Sequence, residues 1–332
     1  MAETATDDHP RIEIIQSGIE VSSEDFGADV RSGLTATPKR LSCRYLYDAA
    51  GSALFEQICA LPEYYITRAE TEILTKHARE IAAHFGDELT FVELGSGSGV
   101  KTQLIVAAIL AKDTRLTWVP IDISETALVG SAKDMADRFE ALSVVGIAGD
   151  YSHGIDWMRM HDQRKLVAWL GSNVGNYDRE SAREFLQGVR SAMTTDDRLL
   201  IGIDLRKDKE VLEAAYDDAA GVTARFSQNM LVRINAELGG NFDVPNFDHV
   251  AKYDDVAGRV AIGLVSRKQC NVRIDKLGLD VKFAAGEYMH TEDSVKYSIA
   301  EIDLLAQYTG FAIEQQWFDT ERRFSLSLCV PQ

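Results

Sequence analysis

From Leu89 to Asp204 the chain alternates short apolar runs with stretches of helical length, and this alternation narrows the possible folds more than any other feature. The runs are LTFVEL (Leu89 to Leu94), LTWVPID ending at Asp122, LSVVGIAGD ending at Asp150, KLVAWLG ending at Gly171 and RLLIGID ending at Asp204. Near-continuous apolar strands must be covered on both faces, so the pattern predicts a parallel sheet with helices in right-handed βαβ crossovers. Helices are expected from about Lys101 to Ala111 and, with Ser124 as N-cap, to about Arg138. Near the C-terminus, a helix from about Ser298 to Tyr308 leads into GFAIEQQWF, a turn around Asp319 to Arg322, and FSLSLCV. That order predicts two final strands, the last antiparallel to its neighbour.

Two blocks break the alternation: residues before about Arg68, and those from about Lys207 to Tyr297. The simplest arrangement is a nucleotide-type domain of residues 69–206 and 298–332, with an inserted α+β substrate-binding domain of 25–68 and 207–297. Residues 1–24, polar and acidic, are expected to form a loosely ordered leader. The formal net charge of -17 sets up a field that repels phosphate backbones and anionic membrane, so nucleic acid is not an expected partner. No apolar run reaches the ~18 residues that would span a bilayer. Cys43, Cys59, Cys270 and Cys329 lack CxxC spacing, which predicts reduced thiols in a cytoplasmic protein. The histidines show no HxxxH or HxH spacing, so no metal site is expected. A monomer is the expected state.

The first βα turn, FVELGSGSGVKT, narrows the ligand. A phosphate-cradling P-loop needs a glycine directly before Lys101, and GxGxxG counted from Gly95 needs one at the same position, which Val100 occupies. What the segment does contain is E-x-G-x-G-x-G from Glu93 to Gly99. A carboxylate beside that loop suits a ligand with a positive end, such as the ammonium and sulfonium of S-adenosylmethionine. Asp122 and Asp150 close the next two strands, where they can accept hydrogen bonds from ribose hydroxyls and an adenine amino group. The competing structural reading makes the glycines ordinary tight turns and the acids helix N-caps.

With these motifs assembled, the sequence resembles the histidine-specific α-N-methyltransferases of ergothioneine biosynthesis, which convert histidine to its trimethyl betaine, hercynine. The resemblance runs from about Ser32 to the C-terminus through GLTATPK, YDAAGSALFEQI, LPEYYITR, VELGSGSGVKT, GSNVGN, AYDDAAGVTARF and FAAGEYMHTEDSVK. It implies a class I, Rossmann-like methyltransferase fold with a mostly parallel sheet and an antiparallel last strand. It also implies S-adenosylmethionine as cofactor and a small-molecule amino acid as substrate. Methyl-donor contacts are implied at Tyr47, Phe55, Gly95, Lys101, Asp122, Asp150 and Tyr151, and amino-acid contacts at Tyr64, Asn176, Tyr216, Glu292 and Ser294.

Each implied role has a physical basis. The Asn176 amide carries donors and an acceptor, suited to the α-amino and α-carboxylate groups of a zwitterion, and the Tyr216 phenol can donate to the carboxylate. Glu292 and Ser294 stand two apart in an extended segment, so both would project from one face and could meet the two ring nitrogens of an imidazole, with Tyr64 completing the ring's recognition. By the same alternation His290 would point to that side too. Tyr47 is the hydroxyl expected beside the reacting nitrogen, with Asn176 or water helping to remove its proton. One departure stands out: Ile262 takes the place of a methionine beside the imidazole, and Gly263 that of a large aromatic, which changes the expected pocket shape. The alternative is therefore the same fold and cofactor acting on another amino acid, such as L-tryptophan. A nicotinamide oxidoreductase and a non-catalytic sensor of S-adenosylmethionine are the readings from other classes.

Overall fold

A computed structural model of the chain describes residues 4–5, 11–16 and 23–332. Its contacts separate two compact units. The first holds Ile66–Arg206, Lys296–Gln332 and the described N-terminal strands; the second holds Lys207–Val295 and the described part of 21–65. The boundaries expected at 68/69 and 297/298 thus fall at 65/66 and 295/296.

The first unit is built on a nine-stranded sheet. In spatial order its strands are Thr4–Ala5, Ile12–Gln16, Leu142–Ala148, Arg115–Asp122, Glu88–Leu94, Lys165–Trp169, Arg198–Asp204, Phe324–Pro331 and Phe311–Phe318. The strands from Ile12–Gln16 to Arg198–Asp204 pair in parallel, as doubly covered apolar strands require. Trp118, Phe91, Val92, Val167 and Leu200 in the middle of the sheet have no exposed surface. The helices Thr102–Leu110 and Glu125–Arg138 follow their strands as expected, although Ser124 caps the second without a side-chain hydrogen bond. Helix Ile299–Tyr308 opens with a capping box of Ser298 and Glu301. Phe324–Pro331 then inserts between Arg198–Asp204 and Phe311–Phe318, antiparallel to both.

The expected leader needs correction. Ile12–Gln16 is a strand of the main sheet, parallel to Leu142–Ala148, because Ile12 and Ile14 turn inward and are buried there. Downstream, Ser23–Thr35 is a helix. The remaining leader positions, His9 among them, lie outside the described residues.

In the second unit, Tyr288–Val295, Arg259–Ser266 and Phe247–Asp254 form an antiparallel sheet, joined at one edge by Lys39–Arg40 running parallel to Tyr288–Val295. Cys270–Ile274 and Leu279–Phe283 form a separate hairpin. A β-bulge interrupts the central pairing: Ile262 faces Glu292 across the strands, but Gly263 faces His290, which leaves Thr291 as the extra residue.

Candidate active site

In the first unit the strand Glu88–Leu94 runs into a loop where Gly95, Gly97 and Gly99 have φ values of +77°, +51° and +68°. Residues with a Cβ avoid that region. A Cβ at Gly95 would stand 2.7 Å from the Tyr151 hydroxyl and 3.0 Å from the Asn173 amide nitrogen, so the backbone stays bare where polar groups converge. The Ser96 hydroxyl in the same loop is buried with no hydrogen-bond partner. Bare backbone beside an unsatisfied buried hydroxyl fits a site completed by a polar ligand, and S-adenosylmethionine has the groups to complete it.

The two strand-end acids organise the local backbone. Asp122 accepts from Gly97 N at 2.8 Å and Ser124 N at 2.9 Å, and burial pushes its carboxyl above the usual range against the pull of those bonds. Asp150 caps the helix Tyr151–Arg159, accepting from Ser152 N at 3.0 Å and Ser152 Oγ at 2.5 Å. Tyr151 follows directly, its ring edge-on to Trp169 with centroids 6.1 Å apart.

Glu93 does not occupy the place expected of it. Its carboxyl is turned into the core, 2% exposed, accepting from Thr102 Oγ1 at 2.7 Å and Trp118 Nε1 at 3.1 Å. Burial there pushes it up to about 8, and the hydrogen bonds of Thr102 and Trp118 only partly oppose that rise. The physical reason is strand alternation in a sheet covered on both faces: Glu93 shares a face with Phe91 and, across the pairing, with Trp118, both fully buried.

Lys101 donates to Glu70, whose carboxylate also accepts from Gly171 N at 2.9 and 3.0 Å. Gly171, at φ +72°, and Ser172, at +59°, turn the chain out of the strand Lys165–Trp169 into a 3-10 helix, Asn173–Asn176. Ser172 Oγ accepts from Asp204 N at 2.9 Å and pins that turn to the next strand, with Asn176 half-buried at its end.

The remaining candidates belong to the second unit. Tyr47 lies between the 3-10 helix Cys43–Leu46 and the helix Ala49–Cys59, whose N-cap Asp48 accepts from Gly51 N at 2.7 Å and from Asn229 Nδ2 at 2.8 Å. The glycine of YDAAGS is needed here, since a Cβ on Gly51 would lie 1.6 Å from Leu46 O. The Tyr47 ring meets Phe55 and Phe226 edge-on, with centroids 5.6 and 5.4 Å away. Phe55 in turn lies 6.2 Å from Tyr64, and Tyr64 lies 6.0 Å from Tyr216. Tyr64 is buried, and that burial, with Tyr216 and Glu292 nearby, raises its hydroxyl well above the usual range.

Tyr216 closes the helix Lys209–Tyr216. Its hydroxyl and that of Ser294 are 2.8 Å apart, while His249 Nε2 donates to its carbonyl at 2.7 Å. Ile262, 1% exposed, packs with Leu212, Ala251, Tyr253 and Val260, with Tyr216 against the cluster. Because Ile262 pairs with Glu292 and Val260 with Ser294, all four side chains share one face of the sheet.

Two sequence expectations change at the bulge. His290 pairs with Gly263 and so points to the opposite face from Glu292; there its Nδ1 lies 3.1 Å from Tyr288 Oη, and its Nε2 3.5 Å from Asp293. Gly263 belongs to that face as well, where a Cβ would stand 2.4 Å from a ring carbon of Tyr288. Sequence reasoning also missed Glu70 and Phe226. Glu70 sits unmarked in a helical stretch, and Phe226 ends a matched motif without any local sign of its ring contacts.

A family model described as histidine-specific methyltransferase, SAM-dependent, matches residues 26–331. The chain is 38% identical over 309 residues to the histidine N-alpha-methyltransferase of Mycolicibacterium smegmatis, covering 93% of this chain and 96% of that protein. Similarity to the histidine N-alpha-methyltransferase of Mycobacterium tuberculosis is 37% over 302 residues, 91% and 94% of the two chains. An L-tryptophan methyltransferase of Psilocybe serbica is more distant, 27% identical over 355 residues, 96% and 97% of the two chains.

Proposed function

The chain belongs to the S-adenosylmethionine-dependent histidine-specific methyltransferases, and on that premise we propose that it methylates the α-amino group of L-histidine three times, giving hercynine in ergothioneine biosynthesis. The observation that carries this reading is end-to-end identity to histidine N-alpha-methyltransferases at 37–38%. The shared face of Glu292 and Ser294 supports it.

S-adenosylmethionine supplies an electrophilic methyl group when bound. On the matched motifs, the residues assigned to hold it are Gly95, Lys101, Asp122, Asp150 and Tyr151, together with Tyr47 and Phe55. For the amino acid, the Glu292 carboxylate accepts the N–H of one imidazole nitrogen and the Ser294 hydroxyl meets the other. The Tyr216 hydroxyl, oriented by Ser294, donates to the α-carboxylate. Asn176 holds the α-amino group through its amide oxygen. Tyr64 borders the ring.

Transfer needs a neutral amine aligned with the departing sulfur, so the enzyme's share is chiefly positioning. Tyr47 Oη takes the amine's hydrogen bond, Asn176 orients the amine through its amide oxygen, and the proton released before each transfer passes to water. As methyl groups accumulate, hydrogen bonding gives way to contact between the growing cation and the rings of Tyr47, Phe55 and Phe226.

The test is mass spectrometry of the protein with S-adenosylmethionine and all the common L-amino acids in competition. Three added methyl groups on histidine alone is the expected result. Methylated tryptophan, or any other amino acid in preference to histidine, overturns the substrate, and absence of any methylated product overturns the enzyme assignment.

A further inference from the structure

Glu70 is a carboxylate with no exposed surface that none of the roles above uses. It projects from the helix Tyr65–Ala83 and ties together two distant segments: the Lys101 ammonium at the end of the glycine loop, and Gly171 N at the start of the turn that carries Asn176. The fold makes room for it, because a Cβ at Gly202, inside the strand Arg198–Asp204, would stand 2.1 Å from Glu70 Oε1. An ionised carboxylate withdrawn from water is tolerated only where cations and N–H donors compensate it, as they do here.

Lys101 explains why the charge is needed. It is the N-cap residue of the helix Thr102–Leu110, the end whose dipole favours anions, so a lysine there works against helix stability. Its ammonium lies 3.4 Å from where a Cβ on Gly171 would be, over the bare backbone of the turn. A cation placed against the dipole and beside a bare turn is suited to an anionic ligand group, and the α-carboxylate of the methyl donor is such a group. We propose that Glu70 is a positioning residue for the methyl donor: its carboxylate holds the Lys101 ammonium over the Gly171 turn, so one buried charge sets both the donor's cation and the turn leading to Asn176. This rests on the assignment of Lys101 as a donor contact.

Glutamine at this position has one acceptor where the carboxylate uses two, so its amide N–H would face either the ammonium or Gly171 N. The experiment is calorimetric titration of S-adenosylhomocysteine into the wild type, Glu70→Gln, Lys101→Met and the double variant, with thermal melts of each without ligand. Expected are a Kd at least tenfold higher in each single variant, and a double variant no weaker than the weaker single one, since both changes break one unit. If E70Q binds like the wild type while K101M does not, or if the two losses multiply in the double variant, the proposal is wrong. If K101M itself binds like the wild type, the Lys101 assignment falls and this coupling with it. Should E70Q fail to fold, Gly202→Ala, which displaces the carboxylate without removing it, is expected to weaken binding in the same direction, and unchanged binding in that variant overturns the proposal.

Discussion

Replacing Glu93 with glutamine is predicted to stabilise the protein at pH 8 relative to pH 5 while leaving methyl-donor binding intact. The carboxyl is held at about 8 by burial, against a usual 4.5. Below pH 4.5 it is protonated whether the chain is folded or not. As pH rises, the unfolded chain ionises first while the folded chain keeps its proton, so stability falls until the folded group titrates near 8 and is flat above. At about 1.4 kcal/mol per pH unit, that window corresponds to on the order of 5 kcal/mol, an upper figure that relaxation of the core around the charge will reduce. An amide escapes the loss. Its oxygen can accept from Trp118 Nε1 and its N–H can donate to the Thr102 hydroxyl, which turns to accept. Urea unfolding followed by circular dichroism at pH 5 and pH 8 measures the difference between the two proteins, which should shift by several kcal/mol in the variant's favour. A difference that does not change with pH refutes the reasoning. Loss of S-adenosylhomocysteine binding by tenfold or more in E93Q would return the carboxylate to the ligand, where the sequence alone had placed it.

Three further outcomes are expected. Glu292→Gln removes a charged acceptor, and its KM for histidine should rise at least about tenfold, the effect of losing a charge-assisted hydrogen bond, with S-adenosylhomocysteine affinity unchanged; an unchanged KM would remove Glu292 from ring recognition. Tyr47→Phe should slow transfer at least about tenfold and leave mono- and dimethylated histidine in the products, seen by mass spectrometry, whereas three unaltered transfers would dismiss the hydroxyl's role. Gly263→Ala should lower stability by about 1–3 kcal/mol through crowding against Tyr288 and Met289 O, with histidine KM unaffected. A raised KM without loss of stability would mean that Gly263 faces the substrate after all.

The main sheet was legible because its signals are local. Continuous apolar runs define doubly covered strands, a tight turn after GFAIEQQWF defines an antiparallel return, and Asp122 and Asp150 follow their strands by position alone. The sequence motifs also carried the family and, by position, its candidate residues. Even the leader's strand has a faint signal in Ile12 and Ile14, but two inward residues acquire meaning only once Leu142–Ala148 offers an edge to pair with.

Tertiary structure decided the rest. Alternation correctly set Glu292 and Ser294 on one face, and the same rule failed for His290 because the bulge at Thr291 shifts the register by one residue and reverses every side chain beyond it. Gly263 looked like a change in the pocket until that reversal put it against Tyr288. Glu93 reads in sequence as the acid of a glycine loop, yet the strand's inward face and the Thr102 and Trp118 donors claim it. Glu70 shows no motif at all, since what defines it is Lys101, Gly171 and Gly202, residues 31, 101 and about 130 positions away that meet only after the sheet has formed. Spacing along a chain specifies which faces a residue can take; which neighbours wait there depends on register and long-range packing, which no local pattern encodes.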